Sequence, residues 1–190
     1  MPGQPADEAM LAAALDHAVA SAGEVGLADL GRPSGCVGWT VAEVLAHLVR
    51  SLRCVATSLA SGAVPPIPVP PEGPFTARSL RRDLGQAAAA LTVAATDLRG
   101  RRSVAVDGLP LACHQLIVVG AIEAAVHGWD VDQARAIPGE LAGRLLAELP
   151  SVLDRGIRRG VFAEPVALPV GRPAGERLLA ALGRDDRRCP

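Results

Sequence analysis

Three polar side chains in otherwise apolar segments could together bind a metal ion. Glu123 and His127 lie four residues apart in VVGAIEAAVHGWD, and His47 lies in LAHLV. Residues four apart occupy one face of a helix, and His47 falls at the border of the apolar stripe of its own segment. Two imidazoles and one carboxylate give a borderline cation three protein ligands and leave a position open, as in catalytic zinc sites. The spacing therefore nominates His47, Glu123 and His127 as metal ligands.

A plainer structural interpretation of the same residues stays open at this point. A lone histidine in an apolar helix is usually half-buried with a satisfied hydrogen bond, and a Glu–His pair at this spacing is common on helices. Asp130 follows His127 by three residues and could hold its second ring nitrogen, a contact that metal-binding histidines usually require. Equally, Asp130 could be a polar residue beside Trp129 on the flank of the helix.

Further residues could act as ligands or as a general base. His17 and His114 could compete as ligands, although His114 lies well up the helix from the Glu-x-x-x-His pair. Cys54 lies two helical turns after the first candidate histidine and on the same side, but buried cysteines usually only pack. His114, Asp130 and Glu43 are the candidates for a catalytic proton acceptor, provided that the fold brings them near the metal.

The composition excludes several classes of protein and of mechanism. The chain has 190 residues, 19 basic and 20 acidic side chains and a formal charge of −1, so it offers no sequence-wide basic surface for nucleic acid. Lysine and tyrosine are absent, which removes Schiff-base lysine and tyrosine acid–base chemistry. The depletion of residues with A/T-rich codons indicates a gene of high G+C content. We therefore expect the arginines to be ordinary solvated residues, for example Arg81, Arg82, Arg101 and Arg102.

Targeting and redox features point to the cytoplasm. The N-terminal MPGQPADEAM is acidic where a secretion signal would be basic, and no apolar stretch is long enough to span a membrane. The four cysteines contain no C-x-x-C pair and are expected to be reduced thiols; they are Cys36, Cys54, Cys113 and Cys189. These features predict a cytoplasmic protein that does not contact a membrane.

Helical periodicity dominates the chain. Thr40 and Glu43 form a capping box at the start of the second helix, and Gly62 lies just beyond its end. Pro110 suits the first turn of the fourth helix, and Pro150 predicts a kink or a break in the fifth. Helices are predicted at residues 7–22, 41–60, 76–98, 110–136, 139–158 and 174–184. Extended segments are predicted at the Pro-rich connector 63–74, at 103–108 and at 160–173.

Four long amphipathic helices of comparable length predict an all-α fold, an antiparallel, up-and-down four-helix bundle with short extra C-terminal helices. The sequence contains no internal repeat and no second apolar core. Residues 1–190 are therefore predicted to form a single domain, in which residues 160–190 are an extension packed on the bundle.

Segments around the candidate ligands resemble those of a known family. PSGCVGWTVAEVLAHLV resembles the T/S-x-C-x-G-W-T-V-x-x-L-x-x-H-L segment of the mycothiol-dependent maleylpyruvate isomerase N-terminal domain family, within the DinB/YfiT-like superfamily. IEAAVHGWDVDQARA is similar to that family's E/D-L-x-V-H-G-W-D-L-A-x-A-x-G stretch. The tail RPAGERLLAALGRD resembles the P-x-x-D-R-L-L-A-x-L-G-R-D-P ending of an actinobacterial branch described as metal-binding. Together and in this order, the matches span nearly the whole chain.

This resemblance implies a four-helix bundle with a divalent metal near one end, usually zinc, with nickel, manganese or iron as alternatives. Carried over residue by residue, the ligands are His47 from the H-L segment and Glu123 and His127 from the E-x-x-x-H-G-W-D segment. The resemblance also implies an enzyme that uses mycothiol or a similar thiol as cosubstrate. A metal-activated thiolate would attack a small electrophile, by conjugate addition in an isomerisation or by displacement in a transfer.

The expected partners are accordingly a small-molecule substrate and the thiol. Family relatives often pair through bundle faces, which leaves a homodimer open. Two-domain members add a C-terminal domain that helps to close the active site; because this chain ends without one, maleylpyruvate isomerisation itself is not expected. Two other functions stay open: a metal-dependent hydrolase or lyase that uses activated water, and a non-catalytic, metal-stabilised protein that holds a ligand in the bundle cleft.

Overall fold

The computed structural model describes residues 4–65, 75–106, 108–156 and 164–184. Within these ranges the chain forms six helices and one β-hairpin. The helices are α1 (Gln4–Gly23), α2 (Val41–Ser61), α3 (Ala77–Thr96), α4 (Cys113–Val131), α5 (Gly139–Gly156) and α6 (Ala174–Ala181). The strands, β1 (Ser103–Val106) and β2 (Leu109–Ala112), pair antiparallel. The prediction of an all-α fold is confirmed, with the small hairpin as an addition.

Helix α2 begins and ends where the sequence predicts. The hydroxyl of Thr40 accepts a hydrogen bond from the backbone N–H of Glu43 at 3.3 Å, and the carboxylate of Glu43 accepts one from the N–H of Thr40 at 2.7 Å. These two bonds are the predicted capping box. Gly62 ends the helix at φ 88°, in the left-handed region where a residue with a side chain would be strained.

Among the arginines named above, Arg101 departs from the expectation that they are merely solvated. The guanidinium of Arg101 is half-buried and donates to the carbonyl groups of Leu59 and Ala60. Carbonyl groups in the last turn of a helix have no partner within the helix. The segment after α3 runs back past the end of α2, so Arg101 can donate to these carbonyl groups. The prediction was wrong for Arg101, whereas the other three arginines named above are exposed.

Helix α4 starts later than the sequence predicts. Residues 109–112 pair with residues 103–106, so Pro110 lies in a strand and α4 begins at Cys113. Gly108 takes φ 79° in the turn between the strands. The hairpin places Val104 in the core, and both strands of a two-stranded sheet are edges, which tolerate proline.

The end of α4 also differs, because the helix stops at Val131 rather than near residue 136. Asp132 leaves the helical region at φ −132° and ψ 88°. Its carboxylate accepts a hydrogen bond from the backbone N–H of Ala134 at 3.2 Å. An aspartate that bonds to the backbone two residues ahead competes with continuation of a helix.

The remaining segments agree in part with the prediction. Pro150 lies inside α5, which continues past it to Gly156, so the chain does not break there. Residues 164–169 form no regular secondary structure, in agreement with an extended segment. Residues 66–74 of the predicted connector lie outside the described residues, as do 160–163 and 185–190 of the predicted extension. Cysteines 36, 54 and 113 are free thiols, and Cys189 falls in the undescribed range.

Helices α1 to α4 surround one apolar core. Helix α1 packs on α3 and α4, and α2 packs on the same two helices, so the order around the core is α1, α3, α2, α4. Helix α5 packs on α4, and α6 packs on α5. None of the helices in the described parts of the chain is both long and apolar enough to cross a lipid bilayer. The packing of α2 against α4 places the two candidate ligand segments side by side.

Candidate metal centre

His47 reaches the site from the second turn of α2. The capping box sets the start of this helix, and leucines such as Leu45 and Leu48 turn one of its sides into the core. His47 lies at the edge of this apolar stripe, with 31% of its side chain exposed. The ring of Trp39 meets the imidazole edge-on, with ring centroids 5.3 Å apart and planes at 88°. Trp39 therefore limits the positions that the His47 ring can take.

Glu123 and His127 reach the same point from α4, one helical turn apart. His47 Nε2 lies 3.1 Å from Glu123 Oε2, and His127 Nε2 lies 3.6 Å from the same oxygen. The two imidazole rings meet edge to face, with centroids 4.8 Å apart. One donor atom of each residue lies within 4.8 Å of the other two. The packing of α2 on α4 thus brings together the three residues nominated by spacing, which we call the candidate metal centre.

The two separations measured from Glu123 Oε2 are close to those between ligands of a tetrahedral zinc ion. With bonds of about 2.1 Å, neighbouring ligands of a tetrahedral zinc ion lie about 3.4 Å apart, and the two separations from Glu123 Oε2 bracket this value. The side chains of Glu123 and His127 are 16% and 10% exposed, whereas His47 is 31% exposed. The candidate metal centre is therefore more open to solvent at His47 than on the α4 side.

Glu123 is held in its ionised form. Burial acts to raise its pKa, but the hydrogen bond to His47, the charge of His127 and the hydroxyl of Ser51 outweigh burial. Together they lower the pKa from 4.5 to about 2. The ionised carboxylate is the form that binds a cation, so Glu123 is prepared for this role at neutral pH.

Asp130 lies directly behind His127. Its side chain is fully buried, and its Oδ2 lies 2.8 Å from His127 Nδ1. Burial acts to raise the pKa of Asp130, but the hydrogen bond from His127 and the guanidinium of Arg184 hold it below its usual value. Because an ionised carboxylate can only accept, Nδ1 of His127 carries a hydrogen, and Nε2 is the ring nitrogen left to bind a metal. The buried contact favours the supporting role considered for Asp130 over a place on the helix flank.

Two residues near the centre were not singled out from the sequence. The hydroxyl of Ser51 lies 3.3 Å from His47 Nε2, and its spacing of four residues from His47 on one helix is a signal that could have found it. Arg184 Nη2 donates to Asp130 Oδ2 at 3.0 Å across 54 residues of sequence. No local pattern links Arg184 to Asp130, because their contact depends on how the C-terminal segment folds back.

His114 lies at the other end of α4, in a cluster of its own. Its Nδ1 faces Asp7 Oδ2 at 2.9 Å, and its Nε2 faces Glu148 Oε2 at 3.0 Å; we call these three residues the His114 clamp. Burial acts to lower the pKa of His114, but the two carboxylates outweigh it and raise the pKa above 6.5. His114 precedes Glu123 by nine residues, or about 13 Å along a helix. The structure therefore does not bring His114 to the candidate metal centre.

The other nominated residues are also placed elsewhere. His17 is buried where α1 meets α4, so close to Gly128 that a Cβ there would lie 2.9 Å from the imidazole Cδ2. Burial and the charge of Arg135 lower the pKa of His17. Glu43 is occupied by the capping box. Among the described residues, the group of converging donor atoms does not include Cys54.

Comparison with known proteins adds a family and a fold. The family model for the mycothiol maleylpyruvate isomerase N-terminal domain matches residues 6–132. Two solved structures share the fold: the mycothiol-dependent maleylpyruvate isomerase, with a TM-score of 0.62 and 20% identity, and a histidine-to-alanine mutant of that enzyme, with 0.60 and 19%. Each comparison covers 77% of this chain and 68% of the other. No curated protein sequence matches the chain. The family match includes α1 to α4 and the candidate metal centre, whereas α5, α6 and Arg184 lie beyond it.

Proposed function

The chain belongs to the mycothiol maleylpyruvate isomerase N-terminal domain family, and on this premise we propose that it is a zinc-dependent enzyme that uses mycothiol or a similar low-molecular-weight thiol. Its substrate would be a small electrophile, which the thiol attacks in a transfer or an isomerisation. The observation that carries the proposal is the convergence of two imidazoles and an ionised carboxylate from α2 and α4.

His47, Glu123 and His127 would hold the cation. Two imidazoles and one carboxylate suit zinc, and three protein ligands leave a position for a further one. A divalent cation held there would supply the positive charge that keeps a thiol ionised, and hence strongly nucleophilic, at neutral pH. Glu123 contributes a single negative charge to the ligand set. The set with its cation therefore keeps a net positive charge, which favours an anionic thiol as the added ligand.

Other residues prepare the open side of the centre. Asp130 accepts from His127 Nδ1 and so keeps Nε2 available. Trp39, which is 37% exposed, packs against the His47 ring and so places an exposed apolar surface beside the more open ligand. The substrate is therefore expected to present an apolar portion beside its electrophilic carbon.

The thiol of the reaction is expected to come from outside the chain. Cys36 Sγ lies 3.8 Å from the guanidinium of Arg184. Burial nevertheless raises the pKa of Cys36, and the nearby positive charge of Arg184 does not offset the burial. Cys36 is consequently protonated at neutral pH and is a poor nucleophile. Cys36, which lies beside Arg184, is therefore not expected to replace an added thiol as the nucleophile.

Metal analysis tests the first part of the proposal. The full-length wild type, His127→Ala and His114→Ala are expressed with zinc, and the metal content of each is measured by mass spectrometry. We expect about one zinc per chain in the wild type and in His114→Ala, and almost none in His127→Ala. Absence of zinc, nickel, manganese and iron from the wild type would overturn the proposal. An unchanged content in His127→Ala would overturn the ligand assignment.

Thermal unfolding with mycothiol tests the second part. At a thiol concentration 100 times its Kd, binding stabilises the native state by about 2.7 kcal/mol, which is about 5–11 °C in Tm for a chain of this size. We expect this increase in the zinc-loaded wild type and not after chelation. Zinc binding without any effect of mycothiol would contradict the use of this thiol and favour a metal-activated water. Protection by another metabolite, with no turnover, would favour a ligand-binding protein.

A further inference from the structure

We propose that Arg184 is a positioning residue of the metal centre: it fixes Asp130, which in turn fixes the ring of His127 for metal binding. The inference rests on the proposed metal-dependent function. It extends that function, because Arg184 follows α6 and lies beyond the residues 6–132 that match the family model. The C-terminal segment thereby becomes part of the site.

Arg184 makes a two-pronged contact with Asp130. Its Nη2 donates to Oδ2 at 3.0 Å, and its Nε lies 3.4 Å from Oδ1. Its Nη1 donates to the carbonyl of Leu182 at 3.0 Å, which holds the guanidinium in its plane. The side chain of Arg184 is 13% exposed and that of Asp130 is fully buried. A planar fork shielded from solvent sets the carboxylate orientation more strictly than a single exposed ion pair does.

One carboxylate oxygen of Asp130 accepts hydrogen bonds from both Arg184 and His127. Oδ2 of Asp130 accepts from Arg184 Nη2 at 3.0 Å and from His127 Nδ1 at 2.8 Å. Arg184 thus determines where the acceptor for the histidine N–H lies. On the far side of the ring, His127 Nε2 points to Glu123 Oε2 at 3.6 Å. A shift of Asp130 would therefore rotate the donor nitrogen of His127 away from the other two donor atoms.

The surroundings give Asp130 little freedom to compensate. The N–H of Gly35 donates to the backbone carbonyl of Asp130 at 2.8 Å. A Cβ on Gly35 would lie 2.8 Å from Asp130 Oδ1 and equally close to Trp129, so the loop before α2 passes this carboxylate with no room for a side chain at position 35. Arg184 also approaches Cys36 in that loop, at 3.8 Å. The arginine therefore joins the C-terminal segment, the end of α4 and the loop that leads into α2.

Zinc affinity of matched variants of the full-length chain tests the inference. Arg184→Met removes the fork and keeps an unbranched side chain, and Arg177→Met makes the same change at an exposed position on α6. The Kd for Zn²⁺ is measured by competition with a chromophoric chelator. Groups that orient a ligand typically change metal affinity 10- to 100-fold, so we expect an increase in Kd of about tenfold for Arg184→Met. Arg177→Met is expected to change Kd by less than about twofold.

Two further readouts separate positioning from a general structural role. In the metal-free protein, the ring ¹⁵N shifts of His127 report which nitrogen carries the hydrogen. We expect the Nδ1–H form to decrease in Arg184→Met and to persist in Arg177→Met. In a double-mutant cycle, Arg184→Met is expected to raise the zinc Kd of the Asp130→Asn variant by less than about twofold, because both substitutions act through the carboxylate of Asp130. Full additivity would contradict the route through Asp130.

The outcomes distinguish this inference from the proposed function. If the wild type binds no zinc, the metal-dependent function fails and the inference fails with it. If the wild type binds zinc and Arg184→Met has the same Kd, only the inference is overturned, even if that variant unfolds at a lower temperature. Should Arg184→Met not fold, Arg184→Lys takes its place, since it keeps the charge without the fork. We then expect an increase of about threefold in Kd, and an unchanged Kd overturns the inference.

Discussion

Helix α4 contributes to two clusters of histidine and carboxylate side chains, and the numbers of imidazoles and carboxylates are reversed between them. In the His114 clamp, one imidazole lies between two carboxylates, at 2.9 and 3.0 Å. In the candidate metal centre, one carboxylate lies between two imidazoles, at 3.1 and 3.6 Å. The clamp joins α1, α4 and α5, whereas the centre joins α2 and α4.

The groups that surround each imidazole nitrogen determine whether that nitrogen can bind a metal. Both ring nitrogens of His114 lie within hydrogen-bond distance of carboxylates on different helices, α1 and α5, so neither nitrogen faces a second imidazole with which it could share a metal. At the centre, Asp130 accepts from His127 Nδ1 at 2.8 Å, and His127 Nε2 is directed towards Glu123 Oε2 and, at 3.6 Å, lies beyond hydrogen-bond distance of it. Residue types alone therefore do not identify a metal site, because the hydrogen-bond partners of each nitrogen determine what it can bind.

The largest contrast is expected when the glutamate of each cluster is changed to glutamine. Free zinc at 1,000 times its Kd stabilises a single-site protein by about 4.1 kcal/mol, or about 8–16 °C in Tm at this chain length. Glu123→Gln should lose this zinc-dependent increase, and Glu148→Gln should keep it. Calorimetry with zinc and with a chelator measures both variants. A zinc effect that survives in Glu123→Gln would remove the distinction between the clusters.

A smaller contrast is expected in the loop before α2, which donates a backbone hydrogen bond to Asp130. In Gly35→Ala the new Cβ would lie 2.8 Å from Asp130 Oδ1 and from the ring of Trp129, and overpacking of this kind costs about 1–3 kcal/mol. Gly31→Ala is the matched control, because a Cβ there meets nothing within 4 Å. Urea unfolding should show the loss of stability for Gly35→Ala only. Equal stability of the two variants would indicate that the loop yields easily around Asp130.

The His114 clamp is expected to contribute a pH-dependent term to stability. The two carboxylates raise the pKa of His114 above its unfolded value of 6.5. The contribution is therefore fully present below pH 6.5 and is lost as the pH rises through the higher native pKa. Because His114 is 41% exposed, solvent screening keeps the contribution below about 1 kcal/mol.

Unfolding of the wild type and His114→Ala at pH 5.5 and 8.5 measures this term. The difference in unfolding free energy between the two proteins should be larger at pH 5.5. It should shrink in 1 M salt, where the Debye length is about 3 Å. A difference that grows towards pH 8.5 would contradict the clamp as a charged contact.

The smallest effect on zinc binding is expected at Cys54, which lies on the same side of α2 as His47. Seven residues separate the two, or about 10 Å along the helix, and Cys54 is not in the converging group of donors among the described residues. Cys54→Ala should leave the zinc Kd within about twofold of the wild type, since cysteines of this kind mainly pack. A clear increase in Kd would mean that the thiol takes part in the centre.

Features set by neighbouring residues were accessible from the sequence. The capping box of Thr40 and Glu43 needs only a spacing of three residues, and the shared face of Glu123 and His127 needs only the helical repeat. Both occur as predicted. The use of Glu123 and His127, together with His47, as a metal site remains a prediction, supported by the geometry and by the family to which the chain belongs.

Features that depend on distant segments were missed or misplaced. The strand pairing of residues 103–106 with 109–112 replaced the predicted first residues of α4, and this pairing across a turn buries Val104. Arg101 was expected in solvent, and Arg184 was not considered. Both arginines bind groups that lie more than 40 residues away along the chain, at distances that no local pattern encodes.

The sequence by itself determined which side chains α2 and α4 could offer: the helical repeat fixes angular positions within one helix and so puts Glu123 and His127 on one face. Only the tertiary structure decided that α2 packs against α4, which adds His47 to that pair. It also decided that His114 is held by two carboxylates and that Arg184 returns to Asp130. The physical reason is that contacts between separate segments follow from burying the apolar stripes of all helices together, a condition on the whole chain rather than on any one segment.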